Sequence, residues 1–288
     1  MTITKIAKIC GDQDGAIWNG FVFRFNSKGR CRVYEIEELK HGNPDTKTAF
    51  IDEFFLDRTG EICPHSNAVM FGNEYFEEND EFPLLYSNVY NNYAKAENKL
   101  KGVCLVYRLQ KTENHFFTTL VQMIEIGFVE NTMHWKSENV EDFRSFGNFT
   151  IDREKSIYYA FNMRDEARKT RYFAFELPKV RDGVEDDEYG IKKVILGLDD
   201  VKDYFDCDYH VCIQGACCYN GKIYSSEGFS STIGKPPVLR IINPETREQD
   251  MKIEFNDFGI DTEAELVDFW KDICYYSDAH GNFYIIEF

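Results

Sequence analysis

Short segments in which apolar and polar residues alternate run along most of the chain, and turn residues separate them. The clearest example spans residues 213–228, where two alternating segments flank the dipeptide Asn220-Gly221. An Asn-Gly pair between such segments is the strongest local signal for a β-hairpin. The same arrangement recurs in weaker form elsewhere. Residues 213–228 are therefore predicted to be one copy of a repeated unit.

Five such units are predicted, beginning near Asp14, Asn67, Asn148, Gln214 and Glu265. The first unit contains four strand-like segments within residues 15–56, as in one blade of a β-propeller. In the third unit, residues 194–197 are predicted to close the blade and residues 199–205 to form a short helix or turn. The spacing of the units suits four-stranded repeats with insertions.

The last unit contains strands for only part of a blade, whereas residues 3–9 are strand-like and have no partner of their own. Because an open sheet edge invites aggregation, the N-terminal strand is predicted to complete the last blade. The chain is thus predicted to be all-β, a single five-bladed propeller domain over residues 1–288. A pair of β-sandwiches and a six-bladed ring are the alternatives.

Composition supports a β-rich fold and narrows the choice of partners. The chain has 25 Phe and 17 Tyr, and aromatic side chains favour pleated, half-buried surfaces. Its net charge of −17 disfavours nucleic acid and anionic membranes and suits a neutral or cationic ligand. The N-terminus lacks the apolar core of a signal peptide, and nine cysteines, an odd number, are typical of reduced thiols. A cytoplasmic protein is expected.

The first residues of each inner strand of a propeller lie at one mouth of its central channel, where propellers commonly bind ligands. In this chain those positions are all polar: Asp14, His65, Asn67, Asn148, Gln214, Glu263 and Glu265. This ring is predicted to bind a small polar molecule or a protein partner. The alternative is that these residues bind only channel water and cap the strand ends.

Three of these residues are carboxylates, and Glu263 and Glu265 are expected to face Asp14 across the ring closure. Crowded carboxylates raise one another's pKa or bind a cation. A solvated acidic rim is the alternative in so acidic a chain. Cys207, His210 and Cys212 lack the paired spacing of a structural zinc site, so neither a metal nor a cofactor is predicted.

Two further groups of residues have a functional and a structural interpretation. The tryptophans either stack on a ligand or pack between blades: Trp18, Trp135 and Trp270. A set of polar residues in the second unit is a candidate lip over the ring: Tyr86, Asn88, Asn91 and Asn92. The common hydrolase, nucleotide-binding, zinc-protease and dinucleotide-binding motifs do not occur in the sequence.

Residues 213–246 resemble the glutamine cyclotransferase-like propellers. The segments that carry the resemblance are Ile213-Gln-Gly-Ala216, Ile223-Tyr-Ser-Ser-Glu-Gly228 and Leu239-Arg-Ile-Ile-Asn-Pro-Glu-Thr246. The resemblance implies a five-bladed propeller in which Gln214 binds substrate at the channel mouth. It also implies a ring glutamate, for which Glu265 is the nearest match. Ligand binding without catalysis is the leading hypothesis. A glutaminyl cyclotransferase-like enzyme or lyase, with Glu265 as general acid/base, is the alternative.

Overall fold

The computed structural model describes residues 1–62, 64–89, 103–113, 115–126, 148–162, 169–208 and 212–288. Their strands form five sheets arranged as the blades of a five-bladed β-propeller. The predicted fold class is therefore confirmed. None of the helices in these ranges is long and apolar enough to span a membrane.

Blades 1 and 2 are built from the first half of the chain together with a later hairpin. From the channel outward, blade 1 contains β2 (Gly15–Trp18), β3 (Phe21–Phe25), β4 (Arg30–Glu35) and β5 (Asp52–Phe55). Helix α1 (Ile36–His41) follows β4. Blade 2 contains β6 (Val69–Phe71), β7 (Leu85–Val89), β8 (Val103–Lys111), β9 (Phe116–Ile126), β14 (Ile191–Leu196) and β13 (Val184–Asp186).

Blades 3 to 5 each have four strands. Blade 3 contains β10 (Phe149–Asp152), β11 (Ile157–Asn162), β12 (Thr170–Glu176) and β15 (Asp203–Cys207). Blade 4 contains β16 (Ile213–Tyr219), β17 (Lys222–Glu227), β18 (Val238–Asn243) and β19 (Glu248–Glu254). Blade 5 contains β20 (Ala264–Trp270), β21 (Ile273–Asp278), β22 (Asn282–Glu287) and β1 (Thr2–Lys8). Short 3-10 helices span Leu198–Asp200, Ser231–Ile233 and Phe255–Phe258.

The N-terminal strand closes the ring, as predicted. β1 pairs antiparallel with β22, in a register that runs from Thr2 opposite Glu287 to Lys8 opposite Asn282. This pairing joins the first residues of the described chain to the last strand. It gives blade 5 the four strands that the C-terminal residues alone cannot supply.

The order of strands after blade 3 differs from the prediction. Residues 194–196 belong to β14, which pairs in parallel with β9 in blade 2, with Lys192 opposite Gln122. Blade 3 is closed instead by β15, so the prediction of a helix or turn is wrong for residues 203–205. The physical reason is that β9 is 11 residues long and offers an edge that β14 can cover. Alternation within a segment does not reveal which edge it will join.

Aromatic side chains pack the blades against one another. Between blades 1 and 2, the ring of Phe23 meets those of Phe71, Phe82 and Phe116 edge to face, with centroids 5.5 to 5.8 Å apart. All four rings are buried. Edge-to-face pairs add to the stabilisation from buried area. This packing joins blades 1 and 2 and includes Phe71 of the inner strand β6.

Candidate functional site

The polar residues predicted at the channel lie at corresponding positions of the five blades. Asp14 comes directly before β2 and Asn148 directly before β10, while Asn67 lies two residues before β6. Gln214 and Glu265 are the second residues of β16 and β20. The inner strands therefore all begin at one end of the channel. We call the seven predicted side chains the polar mouth: Asp14, His65, Asn67, Asn148, Gln214, Glu263 and Glu265.

Asp14 connects three blades at the centre of the polar mouth. Its side chain is 1% exposed, and its Oδ2 accepts a hydrogen bond of 2.8 Å from the backbone N–H of Val69 in blade 2. A Cβ atom at Gly215 in blade 4 would lie 2.8 Å from Asp14 Oδ1 and 2.3 Å from the carbonyl oxygen of Glu265. Only glycine leaves space for this approach. The inner strands thus converge closely around the Asp14 carboxylate.

Asn88, on the second strand of blade 2, joins two residues of the polar mouth. Its Nδ2 donates to Asn67 Oδ1 at 2.5 Å and to Asn148 Oδ1 at 3.2 Å. Its Oδ1 accepts from the backbone N–H of Ala68 at 3.1 Å. Asn88 is completely buried, as is Tyr86 on the same strand. These two residues therefore form no exposed lip, and Asn91 and Asn92 lie outside the described residues.

Two glutamine–glutamate pairs complete the polar mouth. The Gln214 side chain donates to Glu263 Oε1 at 2.6 Å, which ties blade 4 to the start of blade 5. Gln13 donates to Glu265 Oε1 at 3.4 Å, which ties blade 1 to blade 5. Glu265 is 0% exposed, whereas Glu263 is half-buried. Glu263 therefore forms part of the entrance, and Glu265 lies beneath it.

His65 also belongs to the entrance, because its side chain is half-buried beside Asn67. Burial lowers the pKa of its imidazole to about 4. The ring is therefore neutral at pH 7 and can both donate and accept a hydrogen bond. Together with Glu263 and the amide of Gln214, it makes the entrance polar.

Arg24 is the main residue that the sequence analysis missed. It lies in β3, is 0% exposed, and its Nη2 donates to the carbonyl oxygens of Asp12 at 2.8 Å and Asp278 at 3.1 Å. In the sequence, the feature that could have pointed to Arg24 is that it is a single cationic residue within the apolar segment Phe21–Phe25. A buried guanidinium needs nearby negative charge. Its charge favours the ionised forms of Asp14 and Glu265.

The electrostatics of the two inner carboxyls are dominated by burial. Burial raises the pKa of Glu265 well above its usual range, Arg24 opposes this effect, and the negative charges of Glu263 and Asp14 add to it. Burial likewise raises the pKa of Asp14, against the hydrogen bond from Val69. Glu265 and Asp14 therefore form a buried pair of carboxyls rather than a solvated acidic rim.

Several buried polar atoms at this end of the channel have no hydrogen-bond partner among the described residues. They are Asp14 Oδ1, Glu265 Oε2, Asn148 Nδ2, and both Nε and Nη1 of Arg24. An unsatisfied buried polar group costs about 1–3 kcal/mol, and such groups are rare in folded proteins. The set includes both donors and acceptors, so it is complementary to a molecule that carries both.

The raised pKa of Glu265 makes a testable prediction for Glu265→Gln. A carboxyl whose pKa is raised in the folded state stabilises the fold at pH values below its unfolded-state pKa of about 4.3. This stabilisation is lost as the pH rises through the folded-state pKa. Glutamine keeps the acceptor for Gln13 but does not titrate. We therefore expect the free energy of unfolding of the variant, relative to wild type, to increase from pH 4 to pH 8.

Urea denaturation across this pH range measures the effect. A difference of one unit between the folded-state and unfolded-state pKa of Glu265 corresponds to about 1.4 kcal/mol in the free energy of unfolding. The exposed residue Glu248 provides the control, since Glu248→Gln should shift stability by less than about 0.5 kcal/mol at every pH. A constant difference between Glu265→Gln and wild type across the range would contradict a raised pKa.

Of the remaining candidates within the described residues, Cys212 lies next to the polar mouth, two residues before Gln214, whereas Trp18 and Trp270 do not join it. Cys207 is buried and Cys212 half-buried, while His210 lies outside the described residues. Within the described part of the chain, no group of three or more His, Cys, Asp or Glu side chains is arranged to hold a metal ion. Trp18 and Trp270 lie at the ends of β2 and β20, away from the polar mouth. Trp135 lies outside the described ranges.

The fold and the site together define a five-bladed β-propeller whose inner strands begin at a ring of polar side chains. The structure is similar to the crystal structure of Myxococcus xanthus glutaminyl cyclase, with a TM-score of 0.51 and 10% sequence identity. The similarity covers 100% of this chain and 96% of that one. At this identity it establishes a shared fold alone, which confirms the resemblance suggested by residues 213–246 at the level of architecture.

A second similar structure is that of the computationally designed protein Ika8. It matches with 9% identity over 99% of both chains, but its TM-score of 0.36 is too low to support an argument. No family model matches the sequence, and no curated protein matches it.

Proposed function

We propose that the polar mouth binds a small polar molecule. The observation that supports this most strongly is the set of buried polar atoms without partners on Asp14, Glu265, Asn148 and Arg24. Five blades contribute backbone or side chains to this small region, and hydrogen bonds between blades hold its residues in place. A pre-organised polar cluster lowers the entropy cost of binding.

The chemistry of the cluster indicates what the molecule must carry. Glu263 and Glu265 accept hydrogen bonds, so they suit an amine or amide donor. The Gln214 amide, the Asn148 amide and the Arg24 guanidinium donate, so they suit a carbonyl or carboxylate oxygen. A compact molecule with an amino group and an oxygen acceptor, such as an amino acid or an amide derivative, meets both requirements. The net charge of −17 favours a neutral or cationic species.

A thermal-shift experiment tests the proposal with free amino acids, amino acid amides and short diamines as probes. A compound at about 100 times its Kd stabilises a protein by about 2.7 kcal/mol, which raises Tm by several degrees. Gln214→Ala should abolish the shift, and Gln249→Ala on the outer strand β19 should retain it. The proposal is wrong if no amine-bearing compound shifts Tm, or if Gln214→Ala leaves the shift unchanged.

A glutaminyl cyclotransferase-like enzyme or lyase is the second candidate. It is favoured by the burial that raises the pKa of Glu265, because this is the direction that a carboxyl needs to act as a general acid/base near neutral pH. In this function Glu265 would exchange protons with the substrate and Gln214 would position it. Ammonia release from a peptide with an N-terminal glutamine, lost in Glu265→Gln, would support the enzyme. A folded protein without turnover would exclude this activity.

If no small compound binds in these experiments, the remaining alternative is that the polar mouth binds a protein partner. A cytoplasmic location, and the lack of nucleic-acid and membrane partners, stay predictions. They rest on the composition and on the acidic net charge.

A further inference from the structure

The end of the channel opposite the polar mouth contains a cavity with a different chemical character. β20 runs from Glu265 at the polar mouth to Trp270, five residues or roughly 17 Å further along an extended strand. A cavity of about 270 Å³ lies at this end, between the turns that join first and second strands of the blades. We call it the indole pocket, and the lining residues that matter here are Trp18, Arg153, Cys218, Asn220, Phe269 and Trp270.

Aromatic rings form much of the wall of the indole pocket. Trp18 comes from blade 1 and Trp270 from blade 5, and both indoles are half-buried. Trp18 is supported from behind by Phe71, with ring centroids 5.7 Å apart. Phe269 is stacked on Tyr219 at 4.0 Å between centroids and 4° between planes. These supports hold the rings in fixed positions, so the pocket offers flat apolar surface to a flat ligand.

Arg153 supplies a positive charge within this aromatic wall. Its guanidinium lies over the Trp18 ring, 5.3 Å from the centroid, and its Nη2 is 3.4 Å from Asp268 Oδ1. The side chain is 20% exposed. A guanidinium has five N–H groups in a planar fork that matches a carboxylate. The single long contact with Asp268 leaves most of these donors available to a ligand.

The turn that carries Arg153 is held firmly from both sides. Asn73 of blade 2 donates to the carbonyl oxygen of Arg153 and to Ser156 Oγ, both at 2.7 Å. Asp152 Oδ1 accepts from the backbone N–H groups of Glu154 and Lys155, both at 3.0 Å. The backbone that carries Arg153 is therefore fixed before any ligand arrives, which reduces the entropy lost on binding.

The acidic groups around the pocket are largely used by the backbone. Asp268 Oδ2 accepts from the N–H of Ile17 at 2.7 Å, and its Oδ1 accepts from the N–H of Phe269 at 2.8 Å. Asp152 caps its own turn, and Glu154 is exposed to solvent at the rim. A second cation, Lys271, lies 5.6 Å from the centroid of Trp270. Lys271 does not line the pocket itself, so the cation that an anionic ligand meets there is Arg153.

We propose that the indole pocket binds a small aromatic carboxylate. Its ring packs against the indole of Trp270 and the edge of the Trp18 indole, and its carboxylate pairs with Arg153, whose guanidinium lies over Trp18. The volume of about 270 Å³ is slightly below the roughly 300–1,000 Å³ of pockets for drug-sized ligands, so a single ring is the appropriate size. This site is independent of the polar mouth and of its proposed function.

Intrinsic fluorescence tests the proposal directly, because two of the three tryptophans line the pocket. The probes are benzoate, benzamide and benzylamine, which share one ring and differ in charge. We expect benzoate to quench tryptophan emission with saturation and to bind at least about tenfold more tightly than benzylamine, as a charge-assisted hydrogen bond would produce. Benzylamine binding as tightly as benzoate, or no saturable quenching by benzoate, would overturn the proposal.

A pair of arginine variants then locates the site. Arg153→Gln should weaken benzoate binding by about tenfold or more and leave benzamide binding little changed. Arg247→Gln is the matched control, because Arg247 is exposed and pairs with Asp203 on an outer strand. Equal benzoate affinity in both variants would contradict the assignment to Arg153. The comparison of the three probes on wild-type protein tests the proposal even if Arg153→Gln does not fold.

Discussion

Removal of residues 1–8 is expected to abolish the cooperative unfolding transition of the propeller. The deletion removes β1 and leaves β22 as an open edge of blade 5. It also removes Ala7, which is completely buried, and the side chains of Ile3 and Ile6, which pack against the core. Ile3 and Ile6 are half-buried, so each contributes less than the about 1.5–3 kcal/mol of a fully buried aliphatic side chain. The lost ladder hydrogen bonds add about 0.5–1.5 kcal/mol each, and together these losses are a large part of the roughly 5–15 kcal/mol that stabilises a typical domain.

Circular dichroism during thermal unfolding measures this effect. A synthetic peptide of residues 1–8, added in excess, provides the control, because it can pair with β22 and should restore a cooperative transition. A scrambled peptide of the same composition should not restore it. If the truncated protein unfolds with the Tm and cooperativity of the full chain, closure by β1 does not stabilise the ring.

Asn88→Ala is expected to lower the free energy of unfolding by about 3–5 kcal/mol, since it leaves several buried groups unsatisfied at about 1–3 kcal/mol each. The groups that lose their partner are the N–H of Ala68 and the Oδ1 atoms of Asn67 and Asn148. The network is therefore expected to hold blades 2 and 3 together at the polar mouth.

Asn88→Asp separates the hydrogen-bond network from simple packing. Aspartate has the shape of asparagine, but its ionised carboxylate cannot donate to Asn67 or Asn148. A protonated aspartate can donate one hydrogen bond. Urea denaturation should therefore find Asn88→Asp nearly as unstable as Asn88→Ala at pH 7 and clearly more stable than it near pH 4. If Asn88→Asp were nearly as stable as wild type at both pH values while Asn88→Ala was not, packing alone would account for the effect and the network would not.

Local features of the fold were predictable from the sequence, and long-range pairings were only partly so. The Asn220-Gly221 turn does join β16 to β17, and both residues have positive φ, 48° and 69°, as a tight hairpin requires. Ring closure by β1 followed from counting strands. The pairing of β14 with β9 did not, because a strand that returns to an earlier blade has the same alternation as one that continues its own.

The candidate site was predictable along the inner strands alone. The sequence analysis placed Asp14 and Gln214 at the start of inner strands because each precedes or begins an alternating segment. It missed Arg24 as a member and assigned Asn88 to an outer lip, since both lie on second strands. Their side chains reach the channel region only after the blades pack. For Trp18, stacking on a ligand and packing between blades were both possible from the sequence, and the structure packs its ring against Phe71 of blade 2.

The central claim is that the polar mouth is a binding site for a small polar molecule. A crystal structure of the protein soaked with the compound that gives the largest thermal shift tests it most directly. We predict ordered density for that compound within hydrogen-bond distance of Gln214 and Glu263. A mouth without density for the compound, or the compound bound only in the indole pocket or on the outer strands, would contradict the claim.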